Sequence, residues 1–205
     1  MDYRVLVINP GSTSTKIALF EGENCLFQET LRHSAEDLAP FAAIMDQVDF
    51  RRGCIEQVLA EKEVALDSLH AVCARGGQIP PCPSGAFVVD EAMCNYLYGV
   101  VHAAHASNLG CVIAYGIAKA QGIPAYIYDS VAVDEMCDTA RITGMPMIQR
   151  RMLGHTLNTR AMAMKCAAEI LHKPFEECRF VVCHLGGGGS VRLFVGGKMV
   201  DGIRD

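Results

Sequence analysis

"VLVINPGSTSTKIALFEG" occupies residues 5–22 and "FVVCHLGGGGSVRLFVGG" residues 180–197. Written one above the other without gaps, the two stretches share a plan. Apolar residues sit over apolar residues, Asn9 over His184, Gly11 over Gly186, Thr15 over Ser190, and Gly22 over Gly197. Each reads as strand, small-residue turn, strand, so a β-hairpin unit is expected to occur twice. Hairpins draw on the same few turn residues, and a match of this length also suits two unrelated hairpins.

Working outward from the first hairpin, "CLFQETLRH" adds a third strand candidate. Ser34 followed by Asp37 has the form of a capping box. Helical spacing then runs from Leu38 to Leu66 with a break expected near Asp49. "LHAVCARGG" and "GAFVVD" are short strands flanking the loop "QIPPCPS", and "ASNLGCVIAYGIAKAQG" predicts an Asn-capped helix ending at Gly122. "IPAYIYDS" follows as a buried strand, a helix is expected over about 156–171, and Pro174 marks its exit. A helix between two strands implies a crossover, so the expected class is α/β.

Composition narrows the function. With 51% hydrophobic and 20% charged residues, the 205-residue chain can bury a sizeable core. A net charge of −5 with scattered Lys and Arg gives no footprint for a nucleic-acid backbone. No apolar run reaches the roughly 18 residues of a membrane span, and "MDYRVLVINP" lacks a signal-peptide apolar region, so a cytoplasmic protein is expected. The ten cysteines form no C-x-x-C pair, which suits small buried thiols in a reducing compartment.

The chemistry concentrates in the turns. A Gly/Ser turn leaves backbone N–H groups unshielded, and a phosphate can approach them. Neither turn opens a helix, so neither is a P-loop or a dinucleotide fingerprint. Ser12, Thr13, Ser14 and Thr15 add hydroxyls and Lys16 a charge, although an ordinary polar turn has the same composition. Arg75 in "ARGG" suits a carboxylate, or a surface turn. Asp129 ends the strand "AYIYD", where ligands collect in open α/β sheets and where an aspartate also caps turns. His155 and His184 stand at a helix start and beside the glycine turn, where each suits either a structural role or contact with a phosphoryl group. His102 and His105 have metal-ligand spacing on a helix, but with no third ligand in view no transition-metal site is expected.

In their order, "VLVINPGSTSTKIALF", "ARGG", "PSGAF", "HASNLG", "YIYDS", "HTLN" and "VVCHLGGGGS" resemble the acetate and butyrate kinases of the actin and sugar-kinase superfamily. "NPGSTSTK" and "HASNLG" are more similar to the butyrate kinases and their branched-chain relatives. The resemblance runs across essentially the whole chain. It implies an actin-like (ribonuclease H-like) α/β architecture with a first domain over 1–150 carrying phosphate loop 5–22. Residues 151–205 would then be the start of a duplicated second domain carrying loop 180–197.

The resemblance further implies ATP/ADP and Mg2+ as cofactors, and a short-chain carboxylate and its acyl phosphate as substrates. Asn9, Gly11, Ser12, Ser14, Lys16, Gly186, Gly187 and Gly188 would hold the nucleotide, with Asn9 and Asp129 at the metal. Arg75, Asp129, His155 and His184 would be the catalytic set. Gly154 departs from the family pattern, in which an aromatic residue precedes the histidine matched by His155. The expected arginine, adenosine pocket and magnesium-linked glutamate of the family are not assignable in this chain, which implies an incomplete second domain. Its exposed strands would then favour self-association. An acetate or propionate kinase and a non-catalytic phosphate-binding or interaction fragment are the alternatives.

Overall fold

The computed structural model describes residues 2–99, 105–186 and 188–204, so His102 and Gly187 lie outside the described residues. It divides into two compact units, Met1–Ile79 with Ala86–Tyr128, and Pro80–Gly85 with Asp129–Asp205. These units follow compactness. The division at residue 150 expected from the resemblance concerns a duplication of domains, a different property.

The first unit is built on a six-stranded sheet. Its strands are β1 (Arg4–Pro10), β2 (Ser14–Glu21), β3 (Asn24–Arg32), β4 (Ala71–Arg75), β5 (Ala86–Val88) and β6 (Ala125–Tyr128), in the order β3-β2-β1-β4-β6-β5. β1, β2 and β3 form an antiparallel meander, β4 and β6 continue parallel to β1, and β5 returns antiparallel to β6. Apolar alternation sets the register: Leu6 pairs with Leu19 and Ile8 with Ile17, and all four are buried.

The helices are α1 (Ala35–Leu38), α2 (Val48–Glu61), α3 (Glu91–Gly99) and α4 (Ser107–Gln121). α4 packs on β1, β4 and β6 through Leu109, Ile113 and Ile117, and α2 packs on α4. The Ser34 capping box forms as expected, with Asp37 N–H donating to Ser34 Oγ and Ser34 N–H to Asp37 Oδ2. The expected break near Asp49 falls earlier. α1 ends at Leu38, just before the Ala39–Pro40 step that disfavours helical backbone. Asp49 instead sits in the first turn of α2, where its charge complements the helix dipole.

α4 ends at Gly122 in the left-handed conformation (φ 67°), but it is not capped by its asparagine. Asn108 is buried inside the first turn and its Oδ1 accepts from the Gln78 N–H at 2.9 Å. The N–H of Ser107 donates instead to His105 Nδ1.

The second unit carries a three-stranded antiparallel sheet, β7 (Arg179–Leu185), β8 (Gly189–Val195) and β9 (Lys198–Arg204), together with helix α5 (Thr156–Cys166). α5 continues as a π turn over Ala167–Leu171 and stops at His172 (φ 51°), followed by Pro174. The core of this unit includes Val133, Met152, Ala163, Phe175, Phe194 and Met199.

β7–β8–β9 has the meander topology of β1–β2–β3, and its pairing refines the overlay of the two hairpins. Pro10 faces Thr15 across the first turn, whereas Leu185 faces Gly189 across the second, so the second turn is one residue shorter. Thr15, Ile17 and Leu19 share the buried phase of Ser190, Arg192 and Phe194. His184 is the partner of Ser190, so with β8 aligned to β2 it takes the place of Pro10 and not of Asn9.

Candidate active site

In the first unit, the turn between β1 and β2 is held from behind by an arginine that was not a candidate in the sequence. The Arg51 side chain is fully buried. Its Nη1 donates to Gly11 O at 2.8 Å, Ser14 O at 3.1 Å and Thr15 Oγ1 at 3.1 Å, and its Nη2 donates to Ser12 O at 2.9 Å. Gln47 Oε1 accepts from both Nε and Nη2. His33 closes the same network, with Nε2 2.9 Å from Thr15 Oγ1 and its N–H donating to Thr13 O. Burial and the Arg51 charge both push the His33 imidazole below its ordinary value, and the Asp37 charge partly opposes them.

The turn's carbonyls are thus occupied, while the exposed amides of Ser12 and Thr13 donate to no acceptor among the described residues. Asn9 and Lys16 are cross-strand partners, exposed on the face of the hairpin opposite the core. A cavity of about 490 Å³ opens beside the turn, lined by Thr13, Ser14, Thr30, Arg32 and His33.

Arg75 closes β4 at the carboxyl end of the parallel strands, the edge where open α/β sheets gather ligands. Its guanidinium is half-buried, and no hydrogen bond or ion pair engages it among the described residues. Burial lowers its pKa, the mark of a charge without a counter-ion. Two buried orphans lie nearby, Gln78 Oε1 in the turn after β4 and Asn108 Nδ2 in the first turn of α4. Gly77 serves packing: a Cβ there would lie 2.8 Å from Asn108 Cα.

In the second unit, the rings of His155 and His184 stack, with centroids 4.0 Å apart and planes 13° from parallel. His155 Nδ1 lies 3.1 Å from Ser190 Oγ, and His184 Nδ1 lies 3.1 Å from Asn158 Oδ1. A carbonyl oxygen can only accept, so Asn158 holds a proton on His184 Nδ1 and leaves Nε2 directed elsewhere. A Cβ on Gly186 would lie 3.9 Å from that Nε2, so the imidazole edge and the glycine turn are neighbours. Gly186 and Gly188 sit in this turn.

Asp129 is buried with φ 40°, strained for a non-glycine residue. Its Oδ1 accepts from the Gly85 N–H at 2.9 Å, and its Oδ2 lies 3.8 Å from Arg160 Nε. Burial pushes its carboxyl above the ordinary value, and the Gly85 hydrogen bond and the Arg160 charge oppose that rise. Arg160 is itself fixed, donating to Gly197 O at 2.7 Å and lying over the Phe175 ring.

Arg51, Asn158 and Arg160 are the site residues that sequence reasoning passed over. For Arg51 a signal existed: Val48, Arg51, Ile55 and Leu59 form the buried stripe of α2, so the arginine occupies an apolar position. Among the described residues no group of three or more His, Cys, Asp or Glu is placed to hold a metal. A magnesium ion bound mainly through phosphate oxygens and water needs only one or two protein oxygens, a demand that side chains of the Asn9 or Asp129 type meet. No helix among the described residues is long and apolar enough to cross a membrane.

This fold is similar to that of solved acetate and propionate kinases. The solved acetate kinase of Porphyromonas gingivalis superposes with a TM-score of 0.69 at 19% identity, covering 98% of this chain and 57% of that one. A propionate kinase from Francisella tularensis gives 0.65 at 18% identity, covering 98% and 56%.

In sequence the chain is similar to proteins named butyrate kinase. It is 45% identical over 199 residues to the protein named "Probable butyrate kinase" of Thermotoga petrophila, and 44% identical over 199 residues to "Butyrate kinase 1" of Clostridium acetobutylicum. Both alignments cover 97% of this chain and 56% of the relative, so the chain spans little more than half the length of these proteins. No protein-family model matches the chain.

Proposed function

We propose that the chain belongs to a cytoplasmic carboxylate kinase that transfers the γ-phosphoryl group of ATP to butyrate, forming butyryl phosphate and ADP, and that runs in reverse to make ATP. The observation that carries this reading is Arg75. A half-buried guanidinium with no anion paired to it among the described residues, at the carboxyl end of the central strands, suits a planar bidentate carboxylate. The orphaned Asn108 Nδ2 beside the same turn adds a donor.

A carboxylate is already ionised near neutral pH, so the nucleophile needs no general base. The obstacle is repulsion between two anions, and the side chains proposed here neutralise and position them. The amides of Ser12 and Thr13, the Ser14 hydroxyl and the Lys16 ammonium take phosphate oxygens, as does the 186–188 turn, whereas Gly11, expected at the nucleotide, shapes the turn because its N–H is committed to Ser14 O. His184 Nε2, oriented by Asn158, and the stacked His155 meet the phosphoryl group in transfer. Asn9 and Asp129 supply oxygen ligands for Mg2+, which would offset phosphate charge when bound. The 1–150 and 151–205 segments are proposed as a first actin-like domain and the beginning of its duplicate.

The test pairs binding with chemistry. Butyrate should raise the thermal midpoint of the wild-type chain, and Arg75→Met should abolish that shift without altering the midpoint in its absence. Acyl phosphate, trapped as the hydroxamate with ATP and Mg2+, should form only slightly on this 205-residue chain alone, whose second domain is read as incomplete, and what forms should come most readily from four-carbon acids. A shift that survives in Arg75→Met, or a preference for acetate, would overturn the butyrate assignment.

A further inference from the structure

We infer that Arg51 is the positioning residue of the phosphate turn: from beneath, it fixes the peptide planes so that the Ser12 and Thr13 amides face outward. The inference rests on the reading that residues 11–14 receive phosphate. Its physical basis is peptide geometry. In a planar trans peptide, the C=O of one residue and the N–H of the next point in opposite directions, and no cis bond occurs among the described residues. The Arg51 guanidinium draws Gly11 O and Ser12 O inward at 2.8 and 2.9 Å. The N–H groups on the far side of those two peptide units belong to Ser12 and Thr13. These amides, in two exposed residues, have no acceptor among the described residues.

A Gly-Ser-Thr-Ser turn has many conformations open to it, and nothing in those side chains fixes which way its peptides face. The guanidinium fork removes that freedom. The neutral oxygens of four residues of the turn and β2, together with Gln47 Oε1, meet its donors. Gly11 N–H to Ser14 O at 2.7 Å completes the closed form of the turn. A lysine could reach some of these acceptors but could not span the row in one plane.

Charge adds to geometry. No carboxylate pairs with Arg51 among the described residues, so a buried cation lies directly behind the amides. An anion bound in front of the turn would supply the counter-charge. The segment therefore combines oriented amide dipoles with a fixed positive charge, a turn-sized equivalent of a helix N-terminus.

The test uses the whole 205-residue chain, 15N-labelled, with inorganic triphosphate and Mg2+ as the probe. In the wild type, the Ser12 and Thr13 amide proton signals should move downfield and saturate with triphosphate. Arg51→Met should weaken triphosphate binding by about tenfold or more and leave those signals unmoved. Arg51→Lys, which keeps the charge but loses the fork, should fall between the two while its spectrum stays dispersed.

A folded Arg51→Met that binds triphosphate as the wild type does would overturn the role of Arg51 and leave the phosphate turn standing. If Arg51→Met fails to fold, Arg51→Lys decides, and an unchanged affinity there has the same consequence. Wild-type Ser12 and Thr13 signals that ignore triphosphate would instead overturn the phosphate turn and, with it, this inference.

Discussion

Two glycine-to-alanine substitutions in neighbouring helices should move stability in opposite directions. Gly53 lies inside α2 with nothing within 4 Å of where a Cβ would stand. Gly53→Ala removes backbone freedom from the unfolded chain and should stabilise by about 0.5–1 kcal/mol. Gly110 lies in α4, and its Cβ would meet Arg75 O at 2.8 Å, Pro10 Cδ at 3.2 Å and Ala74 Cβ at 3.3 Å. The nearest obstacle is backbone in a central strand, which cannot swing aside, so α4 must lift by about half an ångström to restore ordinary contact distances.

That lift loosens the packing of Leu109, Ile113 and Ile117, all buried. Overpacking of this kind costs about 1–3 kcal/mol. Offset by the same helix gain of about 0.5–1 kcal/mol, the net loss is about 0–2.5 kcal/mol. At this chain length each kcal/mol shifts the thermal midpoint by about 2–4 °C, so Gly110→Ala should fall by up to about 10 °C and Gly53→Ala rise by about 1–4 °C. Scanning calorimetry of the two variants beside the wild type measures both. A Gly110→Ala midpoint above wild type, like that of Gly53→Ala, would refute the claim that α4 is seated against the Arg75 carbonyl.

Asp129→Asn tests the buried carboxyl. Because its folded pKa is raised, mainly by burial, the wild type loses stability as pH climbs from the unfolded carboxyl value, about 3.9, through the folded one. Asparagine tolerates the same backbone and carries no charge to desolvate, so Asp129→Asn should melt higher than wild type at pH 7 and converge with it in acid; a lower midpoint at pH 7 would show that the Arg160 contact outweighs burial. The second unit leaves Val181, Leu185 and Ile203 at 69%, 83% and 64% exposure, which favours a second copy of the chain as cover. Sedimentation velocity should show self-association that Val181→Lys with Leu185→Lys removes, and a wild-type monomer at every concentration would contradict it.

The hairpins, the α4 boundary at Gly122 and the β6 strand were legible because each rests on local chemistry: alternation, a glycine with positive φ, a short apolar run. What was not legible depended on contacts distant in sequence. Asn108 has the composition of a helix cap, yet its acceptor is spent on Gln78, thirty residues upstream, and only the tertiary fold reveals that. Arg51 lies forty residues from Gly11, and a lone arginine on a helix ordinarily faces water. The pattern nonetheless held a clue, since that arginine falls on the apolar stripe of α2. Arg192 repeats the clue in β8, alternating with buried Ser190 and Phe194. A charged residue in phase with a hydrophobic face is therefore a better pointer to buried polar structure than the glycine content of the turns.

The pairing register also changes how the two similar hairpins compare. With β2 and β8 in phase, Pro10 and His184 occupy matching places, opposite Thr15 and Ser190. In the first hairpin that place is filled by a ring with no donor, and Thr15 Oγ1 is engaged by Arg51 and His33. In the second it is filled by an imidazole, and Ser190 Oγ meets a second imidazole, His155. A shared frame thus carries two kinds of chemistry. The first turn is a set of backbone amides backed by a buried fixed charge, suited to holding an anion that does not react. The second places two stacked imidazoles at the mouth of a glycine turn, with one nitrogen of His184 tied to Asn158. That arrangement suits a group whose charge changes during transfer. A one-residue difference in turn length accompanies the exchange of Pro10 for His184 opposite the matching hydroxyls, because in a strand each step of one residue moves a side chain to the opposite face.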